Sequence, residues 1–175
     1  MNVPNLLTGI RFLLIPVFFL CYYSDMPNNI TIATFVFILA GITDILDGYI
    51  ARKYNMVTRW GIVFDPLADK LMLLSVLFAL THSGYLPLWV ILVVAGKEAF
   101  MGLGALFLFF IRDKTVIAAN KTGKIATVLF YLSIVALVFE LPYNSFLITV
   151  AVCVTVIAFI RYAWNFKNLE KAKKS

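Results

Sequence analysis

The chain has 175 residues, 62% hydrophobic and only 14% charged, with a formal net charge of +6. Soluble domains run about 45–50% apolar and about 25% charged, so the composition excludes a water-soluble globular enzyme and a disordered chain, and indicates an integral membrane protein. The positive charge is assigned to loops facing an anionic leaflet, with no nucleic-acid partner.

In chain order, apolar segments cover about 6–23, 30–50, 61–82, 86–111, 117–138 and 145–164. At about 20 residues per span, the expected fold is all-α: a polytopic membrane protein with six transmembrane helices, forming one domain over residues 1–175. The first segment is short and interrupted by Pro16. Its opening turns, with Asn5, Thr8 and Arg11, are expected to form a short interfacial N-terminal segment before the chain enters the bilayer. The opening MNVPNLLTGIRFLL lacks a small-residue cleavage site and reads as mature sequence, in keeping with a bacterial plasma membrane. The separators SDMPNN, SGYLP and ELPYN carry turn chemistry. Cys21 and Cys153 lie inside apolar runs and read as small packing residues, not as a disulfide or a metal pair. The tail NFKNLEKAKKS reads as a short solvated basic end.

Charge sets the expected orientation. The connections at 24–29, 83–87 and 139–144 contain no Lys or Arg. Cations gather instead at the chain ends and near 52–60 and 112–124. The positive-inside rule then places both termini and those two loops in the cytoplasm, which an even number of spans satisfies. Lys97, deep in the fourth segment beside Glu98, is the cation that does not fit this distribution.

Between the second and third segments lies TDILDGYIARKYNMVTRWGIVFDPLADK, residues 43–70. Asp44 and Asp47 are three apart and share a helix face, while Gly61, Asp65 and Asp69 are spaced four and four on another. Two antiparallel helices can turn these stripes together and bring four carboxylates into one cytoplasmic pocket. Gly48, Ala51 and Gly61 would allow close approach of backbone or ligand. Four such carboxylates stay ionised only with cations among them. Oxygen-only donors select hard ions, so Mg²⁺ or Mn²⁺ is expected, two ions balancing four charges. Arg52 and Arg59 are placed to contact phosphate and Thr58 to offer a hydroxyl. Buried ion pairs, or a cation or proton pathway, are the other readings of intramembrane acids.

The pattern Asp44-xx-Asp47-Gly48-xx-Ala51-Arg52-x8-Gly61-xxx-Asp65-xxx-Asp69 resembles, without gap or substitution, the signature of the CDP-alcohol phosphatidyltransferase family. The resemblance implies a transferase of phospholipid biosynthesis that passes the phosphatidyl group of CDP-diacylglycerol to an acceptor hydroxyl and releases CMP. It implies metal ligation by Asp44, Asp47, Asp65 and Asp69, with Asp69 also the general base. It implies donor contacts from Asn5, Thr8, Gly48, Ala51, Arg52, Thr58 and Gly61, and a homodimer embedded among membrane lipids.

NVPNLLTGIRFLLIPVF, FDPLADK and AANKTGKIAT further resemble the bacterial branch of that family that makes phosphatidylglycerophosphate from glycerol 3-phosphate. An acceptor phosphate needs its own cations, and Lys97, Arg112, Lys121 and Lys124 are the candidates. Lys121 and Lys124 share a helix face near a helix start. Where that branch reads Ser-Arg-Glu, this chain has Gly96-Lys97-Glu98, and lysine lacks the planar fork of arginine. Family branches using phosphatidylglycerol (cardiolipin synthases), inositol phosphate or serine are the alternative within the class. A cation transporter is the alternative outside it.

Overall fold

The computed structural model describes residues 3–54, 59–111 and 121–172. These form six α-helices and no strand: α1 (Val3–Tyr22), α2 (Asn29–Lys53), α3 (Arg59–His82), α4 (Leu88–Ile111), α5 (Lys121–Val138) and α6 (Asn144–Ala172). The all-α expectation holds among the described residues, and the helix bounds follow the apolar runs to within a few residues. Two differences have physical causes.

The first concerns the N-terminal segment. Among the described residues α1 runs unbroken from Val3 through Pro16 to Tyr22, so the opening turns with Asn5, Thr8 and Arg11 are continuous with the rest of the first apolar run. Proline removes one backbone hydrogen bond, but its fixed φ is already helical, and packing on both sides of it holds the axis. Arg11 is fully buried within this helix instead of lying at its rim. The second concerns the tail. α6 continues past the apolar run to Ala172, because NLEKA contains good helix formers and no Gly or Pro.

The chain divides into two compact units, Met1–Leu88 and Trp89–Ser175. In the first, α1 packs on both α2 and α3. The Tyr22 hydroxyl donates to the Ala79 carbonyl at 3.2 Å and Arg11 reaches the Asp65 carbonyl, so α1 and α3 run parallel and α2 runs against them. Thr8, Arg11, Phe18 and Tyr22 make the buried stripe of α1. On α2 the buried stripe is Ala33, Phe37, Ala40 and Asp47. Both stripes repeat at three and four residues, the spacing that keeps one seam facing a neighbouring helix over several turns. Ala33 and Ala40, fully buried, let the backbones approach closely. On α3, Ala68, Met72, Val76 and Ala79 complete the core.

Short turns fix these helices. The Asn29 amide donates to the carbonyls of Tyr22 at 2.7 Å and Ser24 at 3.1 Å, while its oxygen accepts from the Ile30 amide at 2.8 Å. One side chain therefore closes α1 and opens α2. α3 ends on Gly84 with φ +79°, where Tyr85 N donates to Leu80 O at 2.9 Å and Gly84 N to Thr81 O at 3.1 Å. The left-handed residue lets both trailing amides reach back to the last turn.

In the second unit α5 packs on α6. Ala126, Phe130, Ser133 and Ile134 face Ile148, Ala151, Val152, Thr155 and Ala158. α5 ends as α3 does, with Leu141 N on Ala136 O at 2.8 Å and Glu140 N on Leu137 O at 3.2 Å. Here the left-handed position is a glutamate, Glu140 at φ +50°.

Many large apolar side chains lie on the outside, over a core that is apolar apart from a few buried polar and charged groups. Leu13, Leu20, Ile45 and Trp164 point outward, while Arg11, Asp47 and Lys97 are buried. Among the described residues, three stretches are long and apolar enough to cross a bilayer: Asn5–Tyr22, Asn29–Ala51 and Asn144–Trp164. A wide outward apolar surface, with spans of this length, is the arrangement of a membrane protein.

Candidate active site

α1 contributes Thr8 and Arg11, three residues apart and on one face. α2 runs antiparallel along that face, so the end of its buried stripe carries Asp44 and Asp47 to the level of Arg11. α3 runs parallel to α1 and brings Asp65 to the same level. The result is a polar knot at one end of the first unit.

Arg11 lies at its centre, with its side chain 0% exposed. Nη1 pairs with Asp44 Oδ1 at 2.7 Å and donates to the Asp65 carbonyl oxygen at 3.1 Å. Nη2 donates to Asp47 Oδ2. The Thr8 hydroxyl donates to Asp65 Oδ1. Arg11 Nε is buried with no partner among the described residues. An isolated guanidinium buried away from water is very costly, whereas one shared between carboxylates and a carbonyl is tolerated.

The two α2 carboxylates differ in environment. Asp47 is 3% exposed and Asp44 is 40% exposed, so Asp47 is sealed against Arg11 while Asp44 opens outward. Asp69 lies one turn beyond Asp65, is 13% exposed, and has Lys70 Nζ at 3.8 Å from its Oδ2. Asp44 is within electrostatic reach of both Asp65 and Asp69. The expected gathering of four carboxylates in one pocket is thus met in a modified form. Asp44, Asp47 and Asp65 gather on Arg11 and Thr8, and Asp69 stands at the edge. Among the described residues, no three acids converge tightly enough to ligate a single ion as they stand.

The donor set nevertheless suits a hard divalent cation. Carboxylates outnumber the one guanidinium in the knot, and the side-chain oxygens of Asp44 and Asp47 already hold a cationic group between them. Oxygen-only donors with surplus negative charge are the ligands that Mg²⁺ and Mn²⁺ take.

The remaining expected site residues fall as follows. Gly48 and Ala51 are half-buried on α2 beyond Asp47, and Gly61 is buried one turn before Asp65. Asn5 is half-buried one turn before Thr8. Arg52 falls in the last turn of α2 and Arg59 opens α3. Lys121 and Lys124 occupy the first turn of α5. Thr58 and Arg112 lie outside the described residues.

Lys97 belongs to the second unit, 7% exposed, with its ammonium 2.6 Å from Glu98 Oε1. It borders a cavity of about 260 Å³ lined also by Leu92, Val93, Gly96, Thr155, Val156 and Phe159. The Thr155 hydroxyl there is buried without a partner among the described residues.

The functional residue that sequence reasoning passed over is Arg11. Its place in the opening turns reads as interfacial, though a signal for burial is present. An arginine inside an apolar run requires a buried partner, and four of the chain's nine acids lie at residues 44–69.

Comparison with known proteins agrees with the geometry. Residues 1–157 match the family described as CDP-alcohol phosphatidyltransferase. The CDP-diacylglycerol–glycerol-3-phosphate 3-phosphatidyltransferase of Haemophilus influenzae is 31% identical over 178 aligned residues, covering 99% of this chain and 95% of the relative. The protein of the same name from Bacillus subtilis is 34% identical, covering 99% and 98%. Its namesake in Rickettsia felis is 37% identical over 138 residues, covering 78% and 75%. A match over nearly the whole chain, with the signature aspartates drawn together by α1, leads to one conclusion: the chain belongs to the CDP-alcohol phosphatidyltransferase family.

Proposed function

We propose that the chain transfers the phosphatidyl group of CDP-diacylglycerol to sn-glycerol 3-phosphate, giving phosphatidylglycerophosphate and CMP in phospholipid synthesis. Relatives that carry this activity in their names align over almost the full length of the chain and of themselves. The observation that carries the reading is the placement of the family's aspartates, from two helices, around one buried polar knot.

In the proposed mechanism Asp44, Asp47, Asp65 and Asp69 hold two divalent ions. Bound there, the ions supply neutralisation of the pyrophosphate and of the departing CMP. Arg52 and Thr58, with the small residues Gly48, Ala51 and Gly61, admit and orient the donor's nucleotide. Asn5 and Thr8 border it from α1. Asp69, at the edge of the knot, takes the proton from the acceptor hydroxyl. The acceptor oxygen then attacks the phosphatidyl phosphorus, the bond from that phosphorus to the CMP oxygen breaks, and CMP leaves. Lys97, Lys121, Lys124 and Arg112 remain the cations proposed for the acceptor's own phosphate.

The proposed setting is a bacterial plasma membrane with six spans and one domain, both termini and the site cytoplasmic, and the chain paired as a homodimer. Helices of 18 to 29 residues support six crossings, since about 20 residues span the hydrocarbon. The family match extends across both units, which supports their working as one domain.

The test is CMP release by purified protein from CDP-diacylglycerol with Mg²⁺ or Mn²⁺, each acceptor offered separately. Release with glycerol 3-phosphate, abolished by EDTA and by Asp44→Asn, is the expected result. Release with phosphatidylglycerol alone would make the chain a cardiolipin synthase. Ion flux without CMP would move it to transport.

A further inference from the structure

The buried guanidinium of Arg11 occupies the oxygens that the proposed metal site needs. Arg11 pairs with Asp44 and Asp47 and at the same time hydrogen-bonds the Asp65 carbonyl, so one side chain from α1 ties down both acid-bearing helices. A carboxylate oxygen that accepts a guanidinium hydrogen bond presents less electron density to an incoming ion. Arg11 also differs from a fully satisfied structural arginine, because its Nε is buried without a partner among the described residues. Such a residue holds its neighbours at a cost, and the arrangement is open to replacement by a stronger cation.

We infer that Arg11 is a built-in competitor for the metal: it positions Asp44 and Asp47 before the ions arrive and is displaced from those carboxylates when they bind. It would thereby set the divalent-ion concentration at which the site fills, as a positioning residue and not a catalytic one. The inference rests on the proposed metal ligation by these aspartates. The geometry explains why the competition is local. Nη1 and Nη2 engage the carboxylates, but Nη1 also has the Asp65 backbone carbonyl, a neutral acceptor that metal loading of the side chains does not consume. Arg11 can therefore yield the carboxylates and keep a partner in α3. Linkage then requires reciprocity: whatever Arg11 does to oppose the ion, the ion does equally to oppose the contacts of Arg11.

The test uses the full chain in detergent, with Mn²⁺ as the probe. Binding is read by the electron paramagnetic resonance of free Mn²⁺, and stability by thermal melting with EDTA or with saturating Mn²⁺. Arg11→Gln removes the competitor and leaves a neutral amide. The expected result is Mn²⁺ binding tightened at least about tenfold, with a melting point several degrees lower in EDTA and a deficit more than halved by Mn²⁺. Arg11→Lys keeps the charge and so protects the fold, but one ammonium cannot grip both carboxylates in the same way. Its Mn²⁺ affinity is expected between those of wild type and Arg11→Gln. An equal melting deficit in EDTA and in Mn²⁺, or weaker Mn²⁺ binding in either variant, would overturn the inference by making Arg11 a plain structural bridge or a support of the site. Asp65→Asn separates the two readings. Wild-type binding that Asp65→Asn abolishes, with both Arg11 variants unchanged, refutes the competitor alone. No binding by wild type refutes the metal site beneath it.

Discussion

Asp44 and Asp47 are one turn apart, share the same guanidinium, and ought to respond very differently to the same substitution. Asp47→Asn removes a charge from a side chain 3% exposed that faces an arginine 0% exposed. Breaking a fully buried pair costs about 3–5 kcal/mol when the survivor is left without compensation. Here Arg11 keeps Asp44 at 2.7 Å and the Asp65 carbonyl at 3.1 Å, and the asparagine oxygen still accepts a hydrogen bond. The expected loss falls to about 1–3 kcal/mol, the cost of an unsatisfied buried charged donor. At about 2–4 °C per kcal/mol for a chain of this size, the melting point should fall by roughly 2–12 °C. Asp44→Asn acts on a side chain 40% exposed that also lies near Asp65 and Asp69. Solvent weakens its pairing, and losing the charge relieves repulsion from two acids, so the change in stability should be under about 1 kcal/mol, of either sign. Both variants are expected to lose CMP release. Melting followed by tryptophan fluorescence in detergent with EDTA, beside the activity assay, reads the two effects separately. A melting point lowered as much by Asp44→Asn as by Asp47→Asn would refute this account of the knot.

Two further substitutions probe how the helices deliver the site. Ala40→Leu adds three carbons at a fully buried position on the α2 stripe that faces α1, two turns from Asp47; it should cost about 1–3 kcal/mol and lower kcat by shifting α2 against Arg11. A melting curve and a turnover rate both matching wild type would refute the close α1–α2 seam. At the end of α5, Glu140 adopts φ +50°, a conformation that favours glycine, so Glu140→Gly should stabilise the second unit by about 0.5–1 kcal/mol without altering activity. A lower melting point for that variant would contradict the left-handed cap.

Much of the fold and part of the site were legible because they depend on short-range periodicity. Apolar runs about as long as a bilayer is thick mark helices, and Pro, Gly and Asn mark the turns between them, as the Asn29 and Gly84 geometries bear out. The three- and four-residue spacings of the aspartates declare their helix faces in the same way. Two element bounds differ from the apolar pattern. Pro16 reads as a break, yet α1 passes through it because packing on α2 and α3 outweighs one lost hydrogen bond. The apolar run ends near residue 164, yet helical propensity carries α6 on to Ala172.

By itself the sequence determined the chemistry available: acids at helical spacing, oxygen donors for a hard cation, and a membrane to hold them. Which charges meet was decided only by tertiary structure. Arg11 and Asp47 are separated by 36 positions, and no local pattern couples them. They meet because the three-four stripes of α1 and α2 must interlock through Ala33, Phe37 and Ala40, and that seam leaves a single register in which the buried arginine finds its counter-charge.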